Sequence, residues 1–248
     1  MKIAELDTPV LMIDEDALTR NIARMQDMTR EAGVTYRPHA KTHKSAEIAR
    51  RQIAAGAVGI CCAKLGEAEV MAAAGIDDIL ITTAVVGESK IGRLMQARTQ
   101  ARIAVVADNA DNIDMLGHVA QMAGQKLDVL VEIDIGQGRA GVPAGPEAAR
   151  LAQIVDNHGW LNFAGIQGYQ GKIQMVVDAD TRKTDTETGL DKFAATIAEV
   201  EKTGLSVQVR TGGGTGTSPF DMERGLLTEL QTGSYVFMDS RYGGIGWP

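Results

Sequence analysis

Arg37, His39 and Lys41 alternate along the segment VTYRPHAK that starts at Val34, so an extended backbone turns all three to one side. Three cations buried together in a core would be costly. At the carboxyl end of a barrel strand they instead line an open mouth. Positive neighbours and partial desolvation lower a lysine's pKa there, freeing its amine to attack a carbonyl carbon. Standing alone, RPHAKTHK reads equally as an anion-binding patch or a surface turn. A second segment adds weight: TGGGTGTS, Thr211–Ser218, lets backbone N–H groups approach a phosphate because no Cβ intervenes. It offers Gly213, Gly214 and Thr215, and a little further on stand Gly233 and Ser234, where a plain turn is the alternative.

Arg139 follows a Gly-flanked turn in EIDIGQGRAG and can reach an anionic oxygen or a carboxylate, or stay solvated. In GIQGYQG small residues leave room for a planar ligand, with Gln167 or Tyr169 able to hydrogen-bond or pack against it; a core tyrosine is the plain alternative. Glu132 and Asp134 share a strand face, but no second carboxylate can be set against them as in a glycosidase pair. Cys61 and Cys62 are the only cysteines and are adjacent, which suits small buried strand residues better than a disulfide or a zinc site.

These residues fall at the ends of short β-branched runs that alternate with helical stretches. Eight runs are readable, beginning at Val34, Val58, Asp78, Arg102, Leu127, Phe163, Val207 and Gly233. Helices are expected over 45–55, 65–74, 88–100, 110–123, 146–158 and 186–203. Eight strands alternating with helices predict an α/β fold of the TIM type, a (β/α)8 barrel, whose phosphate sites are commonly built after strands seven and eight. An amphipathic helix with Leu18, Ile22, Met25 and Met28 on one stripe precedes the first strand and is expected to flank the barrel. The polar segment 172–185 reads as the longest loop, either an active-site loop or a solvated connector.

The 248 residues fit one large domain, and 44% hydrophobic with 23% charged residues is a soluble globular composition. A formal net charge of −7, with Lys and Arg scattered singly, argues against nucleic acid as a partner. No apolar run approaches the roughly 18 residues of a membrane span. The acidic start, MKIAELDTPVLMIDED, is not a signal peptide, so a cytoplasmic location is expected.

Taken together, DTPVLMID, RPHAKTHK, AKLGEAEVM, DIGQGRAGV, TGGGTGT and GSYVFMDSRYG resemble the family of D-threonine aldolases, D-serine dehydratases and D-3-hydroxyaspartate aldolases, from Leu6 to about Tyr242. The resemblance implies an alanine-racemase-like, fold type III pyridoxal 5'-phosphate barrel in which Lys41 carries the cofactor as a Schiff base. It implies that Arg139 lies near the cofactor's phenolic oxygen and Tyr169 beside its ring. Thr215, Gly233, Ser234 and Tyr242 would surround the phosphate. His43, close to Lys41 in sequence, becomes a proton-transfer candidate, with a structural hydrogen bond as the alternative.

The implied reaction is cleavage of a D-β-hydroxy-α-amino acid to glycine and an aldehyde, assisted by a divalent metal, Mn2+ or Mg2+, that holds the β-hydroxyl. In dehydratase relatives the same metal helps the hydroxyl leave. The family places its metal pair, a His followed two residues later by Cys or Asp, in a β-rich C-terminal domain that also completes a homodimer. None of His39, His43, His118 and His158 begins such a pair, so no metal ligand is assigned and that domain is read as absent. Residues 1–248 are thus expected to form the cofactor-binding barrel. The competing readings are a non-catalytic pyridoxal-phosphate carrier and an amino-acid racemase, which needs a second base.

Overall fold

The structure is a computed structural model that describes residues 3–247. Helix α1 (Glu15–Glu31) opens on an Asp14 cap whose carboxylate accepts from Ala17 N at 2.8 Å, and buries Leu18, Ile22, Met25 and Thr29. Burial of such apolar side chains stabilises by roughly 1.5–3 kcal/mol each. Met28, expected on that stripe, is only half-buried, because the face pressed on the barrel runs through Thr29 instead.

The chain then alternates: β1 (Thr35–Tyr36), α2 (Ala46–Ala54), β2 (Ile60–Cys62), α3 (Leu65–Ala73), β3 (Asp78–Ile81), α4 (Glu88–Ala97) and β4 (Arg102–Ala107). It continues through α5 (Ala110–Ala123), β5 (Leu127–Asp134), a short β6 (Val142–Pro143), α6 (Pro146–Asn157) and β7 (Leu161–Gly168). The last part holds α7 (Ala179–Glu201), β8 (Val209–Gly212), α8 (Ser218–Arg224), β9 (Glu229–Leu230) and α9 (Ser240–Gly243). Among the described residues no helix is long and apolar enough to cross a membrane.

All pairings are parallel, in the order β1-β9-β8-β7-β5-β4-β3-β2, with β6 attached to β5. A bridge between His39 and Cys61, with Cys61 N donating to Pro38 O at 2.9 Å, joins the two ends of that order and closes the expected (β/α)8 barrel. Inside, Cys61, Leu80, Val106 and Leu130 form a small apolar plug, whereas Cys62 faces the larger core between sheet and helices. Gly165, at φ +151°, lets β7 approach β8: a Cβ there would stand 1.9 Å from Val209 O.

Two expectations need correction, and one helix was not expected at all. The eighth strand is Glu229–Leu230, not the run from Gly233: Gln231 N and Arg37 N complete the ladder, after which Ser234–Val236 turns as a 3-10 helix with Tyr235 buried. Tyr235 packs edge-on to Tyr36 at 6.5 Å and its hydroxyl accepts from Gln52 Nε2, so a packing demand, not pairing, holds this β-rich-looking run. Half of the expected 172–185 loop is helix, because the Asp178 carboxylate caps Thr181 N and starts α7 early. Helix α8, unforeseen, carries the readable pair of Pro219 in its first turn and Gly225, left-handed, at its end.

Candidate functional site: a cationic pocket at the carboxyl ends of the strands

The residues that follow β1, β3, β5, β7, β8 and β9 surround one solvent-open cavity of about 470 Å3. At its rim Lys41 Nζ lies 5.3 Å from the centre of the Tyr169 ring, and the Arg139 guanidinium carbon lies 5.8 Å from the same centre. Burial, and then the charge of Arg139, lower the Lys41 pKa below the ordinary lysine value. Arg139 is placed by its loop. Partial burial works against ionisation of Asp134, but the amides of Gly138, Gly136 and Gln137 outweigh it and hold that carboxylate below its usual range. Burial raises the Tyr169 hydroxyl to about 12, so it stays protonated.

Opposite the rim, two loops meet. Thr215 Oγ1 accepts from Tyr235 N at 3.0 Å, locking the loop after β8 to the turn after β9. Among the described residues no acceptor meets the amides of Thr215, Gly233 and Ser234, three donors available to an anion. Gly233 is required for space, since a Cβ would stand 2.8 Å from Thr42 Oγ1. The Ser234 hydroxyl and the Tyr242 phenol are hydrogen-bonded and both line the cavity.

Behind the Gly-rich loop, Gln174 Oε1 accepts from Gly216 N and Thr217 N, and Thr217 Oγ1 donates to Asp221 Oδ2 at 2.7 Å. Burial pushes the Asp221 carboxyl up to about 7.

The floor is neutral and polar. His39 Nε2 lies 3.0 Å from Thr82 Oγ1, and because Thr82 Oγ1 donates to Cys62 O, the histidine must be the donor. His39 Nδ1 then accepts from Lys41 N at 3.4 Å, and burial, followed by the charge of Lys41, keeps the ring uncharged. Gln167 and Gln231 complete the floor. Among the described residues no acidic side chain lines the cavity, whose charge comes from Lys41 and Arg139, so the pocket suits an anionic, planar ligand.

Of the residues singled out from sequence, Lys41, Arg139, Tyr169, Gly214, Thr215, Gly233, Ser234 and Tyr242 line this cavity. Gly213 does not; it backs onto Asp221 and faces a smaller neighbouring cleft. His43 faces a separate apolar cavity of about 990 Å3, with Nδ1 accepting from Ser45 N, and burial lowers it to about 4. Glu132 lies inside the barrel beside Gln167 with Oε2 unpaired, and burial, then Asp108, raises it to about 7. Asp134 faces its loop instead, so the two carboxylates do not act as a pair. Thr82 and Gln231 were missed. Gln231 continues the alternation of Glu229 along β9, a signal visible only once that strand is recognised.

The cavity fits pyridoxal phosphate on this donor set: one amine of lowered pKa, one guanidinium, one aromatic face, and three free amides from two loops. Among the described residues no group of three His, Cys, Asp or Glu side chains stands close enough to hold a metal ion.

A closed parallel barrel with a lysine after its first strand and an anion cradle after its last two defines the class, and the chain belongs to the family of the alanine racemase N-terminal domain, matched over residues 13–241. It is 42% identical over 246 residues to a D-threonine aldolase of Arthrobacter, covering 99% of this chain and 65% of that protein. A 3-hydroxy-D-aspartate aldolase of Paracoccus denitrificans is 39% identical, with 99% and 64% covered. The crystal structure of D-threonine aldolase from Filomicrobium marinum superposes with a TM-score of 0.96 at 45% identity, covering 98% of this chain and 65% of that one. The chain thus spans just under two thirds of the length of these relatives.

Proposed function

We propose that residues 1–248 form the pyridoxal-phosphate-binding barrel of a lyase that cleaves D-β-hydroxy-α-amino acids of the D-threonine type to glycine and an aldehyde. The observation that carries this reading is the convergence of Lys41 and Arg139 over the Tyr169 ring, facing three unpaired amides across one cavity. Similarity to D-threonine and 3-hydroxy-D-aspartate aldolases supports the substrate class.

In this reading Lys41 Nζ holds the cofactor covalently, and its lowered pKa keeps part of the amine uncharged and nucleophilic. Arg139 would offset the charge of the phenolic oxygen, Tyr169 would give the ring a flat wall, and the amides of Thr215, Gly233 and Ser234 would donate to the phosphate. When bound, the cofactor supplies the sink for the electron pair of the breaking Cα–Cβ bond. His39 has both ring nitrogens engaged and His43 faces the neighbouring cavity, so neither is placed to move a proton there; Lys41 Nζ, once released from the cofactor by the substrate amine, would be placed to deliver the proton that Cα takes up. The divalent metal implied by the resemblance has no ligand set among the described residues, and no step is derived through it.

The test is to add D-threonine and Mn2+ to the cofactor-loaded chain and measure acetaldehyde, with D-serine and pyruvate in parallel. Acetaldehyde supports the aldolase reading. Pyruvate alone would replace it with a dehydratase, and a cofactor spectrum with neither product would replace it with a carrier.

A further inference from the structure

The cavity floor has a fixed polarity that can be read from the bottom of the barrel upward. Arg37 Nε donates to Glu229 Oε2 at 3.0 Å, and its NH1 donates to Asp78 Oδ1 at 2.6 Å; Arg37 and Glu229 are both buried. An ion-paired carboxylate can only accept, so Thr211 Oγ1, 2.9 Å from Glu229 Oε1, must spend its proton there. Thr211 Oγ1 is left able only to accept, and the group 3.0 Å away is the Gln231 amide nitrogen. The same nitrogen donates to Gln167 Oε1 at 2.9 Å. Both protons of the Gln231 amide are therefore committed below the cavity.

The rest of the floor is spent as well. Gln167 Nε2 donates to Thr82 O at 3.3 Å and bonds Glu132, and His39 and Thr82 satisfy each other and the backbone. Gln231, which lines the cavity, makes no hydrogen bond through Oε1 among the described residues.

We infer that Gln231 presents Oε1 to the cavity as a fixed acceptor, with Arg37, Glu229 and Thr211 as the positioning residues that set its orientation, and that the site therefore selects a ring nitrogen that carries a proton. The inference rests on the pyridoxal-phosphate reading given above. The ring nitrogen of that cofactor is para to the ring carbon that bears the aldehyde Lys41 would bond, so it would lie on the side away from the rim. A bare nitrogen lone pair facing a carbonyl oxygen is repulsive, whereas an N–H facing it is a hydrogen bond. Protonation at that nitrogen makes the ring a stronger electron sink, which suits cleavage of a carbon–carbon bond.

The test uses the full chain loaded with cofactor labelled with 15N in the ring. The wild-type resonance is expected in the protonated-pyridine range. Thr211→Val removes one of the two acceptors that fix the Gln231 amide, leaving Gln167 Oε1 alone to hold it, and is expected to move the resonance toward the unprotonated range and weaken cofactor binding roughly tenfold, as for one lost hydrogen bond. Thr211→Ser, which keeps the hydroxyl, is expected to restore both. A wild-type resonance in the unprotonated range, or an unchanged resonance in folded Thr211→Val, overturns the inference. Should Thr211→Val not fold, Gln231→Leu is read in the same way, and an unmoved resonance there overturns it equally. Absence of any Lys41-dependent absorbance would instead bring down the cofactor reading itself.

Discussion

Lys41 and Arg139 both stand against the Tyr169 ring, near enough for the arginine's charge to act on the lysine. Because burial and the Arg139 charge both lower the lysine pKa, cofactor capture should fall as pH drops through that value. Replacing Arg139 with Met removes one of the two causes and should move the midpoint of capture rate against pH upward; an unmoved midpoint would show that Arg139 does not act on Lys41. Lys41 was legible because its motif puts unusual residue types at a strand end, whereas Arg139 and Tyr169 stood with solvated and core alternatives until the resemblance to the family chose between them. Thr82 and Gln231 were not legible: a lone Thr or Gln among core residues has no spacing signal, and its role appears only when the barrel brings six strand ends together. His43 shows the converse, since two residues from Lys41 the 3-10 turn Ala40–Thr42 has already carried its ring to another cavity.

Among the elements, α8 and the loop before it hold the clearest energetic consequence. Asp221 has a folded pKa of about 7, above its ordinary 3.8. A raised carboxyl favours the fold at low pH, so its stabilising effect is lost as pH rises from about 4 to about 7 and does not return above that. Asp221→Asn should flatten this slope in chemical denaturation and raise the midpoint more at pH 8 than at pH 5, by on the order of 1–4 kcal/mol. A parallel shift at both values would contradict a buried neutral acid. In the sheet, Gly165→Ala should cost about 1–3 kcal/mol through the Val209 O clash, read as a lower melting temperature with the helical signal retained. Most strands and helices were readable from periodicity, including α5 at its observed bounds. The two-residue β9 was not, because Glu229–Leu230 has no β-branched run and its pairing is set by neighbours distant in sequence.

For the molecule as a whole, closure of the barrel is what turns scattered residues into a site. The His39–Cys61 bridge brings the Lys41 turn beside the loops after β8 and β9, while an apolar plug fills the interior below and the Arg37–Glu229 pair anchors the polar floor. The match over residues 13–241 and the TM-score of 0.96 set this architecture in the alanine racemase N-terminal family, and the chain spans 65% of the Arthrobacter enzyme. The central claim is that Lys41 is the residue that bonds pyridoxal phosphate. Borohydride reduction of the cofactor-loaded chain, followed by peptide mass mapping, tests it most directly. The account predicts a single phosphopyridoxyl group on Lys41, absent from Lys41→Ala; label on another lysine such as Lys44 or Lys64, or no label at all, would contradict it.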